Sequence, residues 1–224
     1  MSLVFVNKKV IDEVSRKLGL SGSAVTRSIY RSINGVAAKN MTRSRREIGT
    51  AVHLSATYIR ERMSLSKANS SHLSASIKAR KRPTRLATYG ARQRVRKDKG
   101  AKRPPGRNGG KLFGVHAGSG DKSRNIAAGM VPAGITVKEL RKSPRQLLPG
   151  AFFMPLRAGK DGAANGMGIF IRTGDEKYQI RQLYGLSVDQ LFRNVIDDIA
   201  PEARAELEAE LIRQANYEFS KVTK

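Results

Sequence analysis

The chain has 224 residues, no cysteine and a formal net charge of +25 at pH 7. That length can bury a core, and the lack of cysteine excludes disulfides and thiolate metal sites. Residues 1–150 hold 33 Lys+Arg against 7 Asp+Glu, whereas residues 151–224 hold 10 against 11, so the basic part needs a polyanion or an acidic protein to offset its self-repulsion.

The N-terminus, MSLVFVNKKVIDEV, has too few apolar residues before its charges for a signal peptide. No apolar run approaches the roughly 20 residues that span a bilayer. A soluble protein made in a reducing compartment is expected, with no membrane partner.

Lys8 to Leu18 reads as a short amphipathic helix, with Val10, Ile11, Val14 and Leu18 at helical spacing. Ser21 or Ser23 can cap the next helix. Its apolar rhythm runs through Val25, Ile29, Ile33, Val36, Ala37, Met41 and Ile48, about 25 residues or ~37 Å. EVSRKLGLSGSAVTRSIYRSI (Glu13 to Ile33) has the look of a helix-turn-helix, but such spacing is common in αα-hairpins and the second helix runs on too far. A further helix is expected from Ser55 to about Lys67.

The middle of the chain changes character. Ser74–Ala79 and Leu86–Val95 alternate like strands around a Pro83 turn, and Lys97 to Lys111 has the composition of a flexible loop. From Lys78 to Lys111 there are 14 basic residues and a single acid, Asp98. Val115 to Gly134 also reads as loop. Phosphate-backbone contact is one reading of this basic hairpin, and docking on an acidic protein or an idle solvated arm is the other. The candidate DNA-contacting residues are Lys78, Arg80, Lys81, Arg82, Arg92, Arg94, Arg96, Lys97, Lys99, Lys102 and Arg103. Only Tyr89 and Phe113 are interleaved with them, which argues against a base-stacking platform for single strands or RNA.

Strands are expected at Ile135–Leu140, Ala151–Leu156, Gly168–Thr173 and Tyr178–Leu183, with a Gly-rich connection, KDGAANGMG. A closing helix should run from Val188 to about Phe219, kinked at Pro201. Its apolar stripe includes Val195, Ile196, Ile199, Ala203, Leu207, Leu211 and Ala215. Asp197, Asp198, Glu202, Glu206, Glu208 and Glu210 make its other face acidic.

Catalytic constellations are missing. His53, His72 and His116 lie far apart without neighbouring carboxylates. GSG at Gly118 lacks the setting of a phosphate loop, and no serine sits in a nucleophile elbow. The expectation is a non-enzyme without metal or cofactor.

Three blocks between Leu148 and Phe192 are more specific. They are Pro149-Gly150-Ala151-Phe152, then Gly168-Ile169-Phe170-Ile171-Arg172-Thr173-Gly174, then Ile180 through Phe192. Their order and spacing resemble the signature of the phage minor tail protein Z family, although Leu186 stands where that family often has proline. The resemblance implies a structural virion protein, a tail completion component at the tail–neck end. It implies a single α+β domain over 1–224, in which N-terminal basic helices (1–70) and a C-terminal amphipathic helix pack on an antiparallel sheet. A basic hairpin and loop would occupy 71–131, and the sheet and last helix 132–224. It also implies a ring, sixfold before threefold, with the tail tube, the terminator and the tape measure as partners and genomic DNA passing through its lumen. In such a ring Leu186, Val188 and Phe192 would supply apolar subunit contact, and Glu206 and Glu210 charge complementarity. The alternative is a sequence-specific DNA-binding regulator built on residues 8–48.

Overall fold

The computed structural model describes residues 22–97, 111–116, 119–125, 130–156, 166–174, 176 and 179–222, without side-chain detail for 111–116, 119–125, 155, 219 and 222. The expected helix at Lys8–Leu18, the loop interior 98–110 and most of the KDGAANGMG connection lie outside the described residues. By internal contacts the chain divides into two compact units. One comprises Met1–Ile48, Ala56–Lys81 and Val188–Lys224, the other Gly49–Ser55 and Arg82–Ser187. Helices and small antiparallel sheets make the fold α+β.

In the first unit, α1 (Gly22–Ala51, reaching the second unit with its last turn) is 30 residues long. Every apolar residue of its expected stripe is buried, from Val25 to Ile48. It runs antiparallel to α3 (Val188–Val222), since Ser28 Oγ donates to the Gln214 carbonyl and Ser32 Oγ to the Glu210 carbonyl. Serines at this crossing let the two backbones approach, and each hydroxyl also reaches a carbonyl one turn back on α1. The core beside it joins Val25, Ile29, Ile33 and Ala37 to Ala68 and Ala75, with Leu207 and Leu211 of α3 packed against it. Helix α3 continues through Pro201, although that residue lacks the amide its turn would use.

Two expectations for this unit are corrected. The helix expected from Ser55 to Lys67 stops early: α2 is Ala56–Glu61, and β1 (Met63–Ser66) follows. Met63 is buried, Ser64 exposed, Leu65 half-buried and Ser66 exposed, a period of two that the helical reading of Ile59 and Met63 passed over. The stacking of Arg62 on the Tyr58 ring, 3.4 Å from its centroid, stands at the change of direction. Secondly, β2 (Ser76–Ala79) pairs with β1, Met63 opposite Ala79, and not with the segment after Pro83.

The second unit holds the remaining strands. The segment expected as one strand from Leu86 to Val95 is instead β3 (Thr84–Arg85), a 3-10 turn (Leu86–Tyr89) and β4 (Arg92–Lys97). Burying Leu86, Ala87 and Tyr89 together needs a coil rather than alternation, and Gly90 at φ 63° ends it. The Tyr89 hydroxyl donates to the Leu186 carbonyl at 2.7 Å. The basic hairpin is present, but its strands are β4 and β5 (Lys111–His116), antiparallel with Arg92 opposite Gly114.

The stretch expected as loop from Val115 to Gly134 carries the end of β5, then β6 (Ser119–Asn125) and the start of β7 (Met130–Val137). Backbone pairing makes these strands, so a Gly- and Ser-rich sequence conceals them. With β8 (Gln146–Leu148) they form a five-stranded sheet in the order β6-β5-β4-β7-β8. A second sheet, β11-β10-β9, joins β9 (Phe152–Pro155), β10 (Met167–Arg172) and β11 (Ile180–Gln182). A short β12 (Tyr184–Gly185) pairs with β3. Arg141 fastens the end of α1, its Nε donating to the carbonyls of Gly49 and Val52.

Candidate nucleic-acid interface

The candidate basic residues fall into two groups. Lys78, Arg80 and Lys81 belong to the first unit, at and just after β2, and all three are exposed. There Lys78 and Lys81 line a groove of about 640 Å³ with Ile77, Phe192 and Ile196, beside Asp189 and Arg193. Arg82 is exposed in the second unit, as are Arg92, Arg94, Arg96 and Lys97 on β4. Lys99, Lys102 and Arg103 lie outside the described residues.

Strand alternation sorts β4 into two faces. Gln93 and Val95 are half-buried, and Gln93 stands opposite Ile135, which is fully buried. Arg92, Arg94 and Arg96 point the other way, about 6.6–6.8 Å apart along the strand. Their cross-strand neighbours are small: Gly114 and Thr136 flank Arg92, and Gly134 lies opposite Arg94. Gly134 has φ 109° and marks the irregularity where the β4–β7 register shifts after Arg94. A Cβ there would collide with the Leu148 carbonyl oxygen, so no side chain can grow from this position without moving backbone.

Arg145 completes the arginine face and was not legible in the sequence. It lies 51 positions beyond Arg94, and no pattern marked it. Its Nη1 donates to the Gly90 carbonyl at 2.9 Å, which holds the guanidinium near β4. Burial lowers its pKa from the ordinary value, and Arg92 and then Arg94 lower it further by like-charge repulsion. Arg92 and Arg94 are thus close enough to Arg145 to disfavour its charge.

The residues expected at a subunit contact are placed differently. Val188 and Phe192 are buried, and Leu186 is half-buried with its carbonyl taken by Tyr89. Glu206 accepts from Arg43 at 3.0 Å, beside Glu202 at 2.8 Å. Glu210 accepts from Arg213 and Gln214, which with Lys39 nearby hold its carboxyl down to about 2 against the burial that opposes them. Glu218 is nearly enclosed and faces Arg31 at 3.1 Å, Lys221 at 3.6 Å and Arg27 at 3.7 Å. Much of the acidic face of α3 therefore meets the basic face of α1 inside one chain. Asp197, Asp198 and Glu208 remain exposed.

The residues that would read bases in a helix-turn-helix are also engaged. Thr26 Oγ1 donates to the Gly22 carbonyl, Tyr30 packs on the core, and Arg27 and Arg31 reach Glu218. The protein-family comparison points elsewhere, because the sequence model for prophage minor tail protein Z matches residues 9–224. The chain belongs to the prophage minor tail protein Z family. No curated protein and no solved structure matches this minor tail protein. Its His53 lies in the second unit, where its amide donates to the Glu139 carbonyl. Among the described residues no group of three His, Cys, Asp or Glu could hold a metal ion, and no helix is long and apolar enough to cross a membrane.

Proposed function

We propose that this minor tail protein is a tail completion component of the virion. In this reading it assembles as a ring at the tail–neck end, against the tail tube, the terminator and the tape measure. Genomic DNA passes through the ring and is contacted without sequence preference. The observation that carries the tail role is the family match over 9–224. The DNA contact is supported by charge. The second unit has 22 Lys+Arg against 6 Asp+Glu, the first 21 against 12. The first unit offsets much of its charge with the α1–α3 ion pairs, and the second has few acids with which to do the same.

The placement of the acids changes the expected ring contact. Exchange of Glu206 or Glu210 would disturb bonds inside the subunit, so the exposed Asp197, Asp198 and Glu208 of α3 are better placed to meet a neighbour's basic face. Such contacts fix orientation and register around a closed ring more than they add affinity. The test is to locate the tagged chain by cryo-electron microscopy of intact tails. A ring of this chain at the neck is the expected result. Its absence from purified virions would overturn the reading.

A further inference from the structure

We propose that the outer face of the five-stranded sheet is a preformed seat for a nucleic-acid phosphate backbone, with Arg145 as its fixed member and Arg92 and Arg94 as its flanks. This rests on the DNA-contact reading above, but it names one face of one unit and sets aside Lys78, Arg80 and Lys81.

Three observations carry it. The first is anchoring: Arg145 Nη1 donates to the Gly90 carbonyl, which fixes a guanidinium that has four further N–H donors. A guanidinium already fixed by the fold loses less entropy when it grips a phosphate than a free lysine on a loop. The second is placement: Arg92 and Arg94 are exposed on one face of β4, and their cross-strand neighbours Gly114 and Gly134 carry no side chain that could cover them.

The third is unrelieved charge. Arg145 is shifted first by burial and then by Arg92 and Arg94, and among the described residues no carboxylate opposes them in that balance, a like-charge arrangement that an entering anion relieves. Rows of arginine about 6.6–6.8 Å apart suit a polymer of regularly spaced charges better than a single small anion. The bonds go to phosphate oxygens and carry no sequence information. Leu147, half-exposed on the same face opposite Thr136, offers only apolar contact.

The experiment uses the full chain and a labelled mixed-sequence DNA duplex of about 20 base pairs, followed by fluorescence anisotropy across a salt series. Each phosphate contact contributes a log–log slope of about −0.9. Arg145→Gln is expected to flatten the slope by about 0.9, and to weaken binding roughly eightfold at 0.1 M salt, the share of one contact in that salt-dependent term. Arg145→Lys should restore the slope while binding more weakly than the parent, since it keeps the charge and loses the fork. Lys78→Gln with Lys81→Gln should leave both quantities at the parent's values.

An Arg145→Gln variant that melts like the parent and binds DNA with an unchanged slope overturns the site, though DNA contact elsewhere stands. A parent protein with no affinity for DNA at low salt overturns the DNA reading itself. Competition by poly-glutamate at equal charge concentration as effective as DNA's own would assign the face to an acidic protein and overturn the proposal.

Discussion

Replacing Glu218 by glutamine tests whether charge holds α1 to α3. The carboxylate has 4% of its side chain exposed, whereas Arg27, Arg31 and Lys221 around it are 43–47% exposed. A net hydrogen bond to a charged group contributes about 1.5–3 kcal/mol, and exposed ion pairs about 0.2–1 kcal/mol. The three cations can return to water when the acid is neutralised, so the loss falls well short of the 3–5 kcal/mol typical of a fully buried pair. Glutamine keeps the shape and one acceptor for Arg31. Glu218→Gln is therefore expected to cost about 2 kcal/mol. In urea, with a slope of about 2 kcal/mol/M, the midpoint should fall by roughly 1 M. A cycle with Arg31→Gln should return a coupling of about 1 kcal/mol, the two groups being in contact. A coupling below about 0.3 kcal/mol beside a full loss from Glu218→Gln would refute this, because the carboxylate would then be acting through packing alone.

Three further expectations follow from the same geometry. Gly134→Ala puts a Cβ against the Leu148 carbonyl at a φ that L residues avoid; a cost of about 3 kcal/mol or more should lower the melting temperature by ~6–12 °C in calorimetry. Glu139 has its pKa raised above the ordinary 4.5 by burial, against the Leu186 amide that lowers it, so the folded state loses stability as pH rises through and above that value. Glu139→Gln should flatten this part of the stability curve, and an unchanged curve would count against the assignment. Glu210 behaves oppositely: its carboxyl is held down to about 2, first by Arg213 and then by Gln214. The stability it gives is full above 4.5 and lost as pH falls toward 2, and urea titrations of Glu210→Gln should lack that acid-sensitive component.

The long helices were legible because their periodicity is strong: the stripe from Val25 to Ile48 and the start of α3 at Val188 stand where the apolar spacing placed them. Strands bearing apolar residues at period two, such as β10 from Met167 to Arg172, were legible for the same reason. Pairing was not. Nothing local in Ser76–Ala79 distinguishes a partner at Met63–Ser66 from one after Pro83, because register is decided by which face is buried. The strand β6 was missed because its small and charged residues give no apolar alternation, and β5 because its few apolar residues lie between two stretches with loop composition. Charge was legible as a total and illegible as an arrangement. Arg92, Arg94 and Arg96 were found by composition, whereas Arg145 joins them only through the tertiary fold. The acids of α3 were read as facing another subunit, and several are satisfied by α1 of the same chain.

That last point decides which charges are available for partners. In the first unit the arginines of α1 stand over carboxylates of α3, so part of the basic excess there is spent on holding two long helices together. Neutralising those arginines would loosen the fold before it changed any contact with DNA. In the second unit Glu139, one of its few described acids, is itself partly withdrawn from solvent, and burial raises its pKa. Substituting basic residues in the two units should therefore have separable effects. Arg31→Gln should lower the urea midpoint and leave the salt slope of DNA binding unchanged. Arg92→Gln with Arg94→Gln should flatten that slope by roughly 1.8 for two contacts, with the midpoint moving little or upward as like-charge repulsion with Arg145 is relieved. If both sets of variants shift the midpoint and the slope alike, the two units do not divide stability from binding in this way, and the positive charge acts as one undifferentiated cloud.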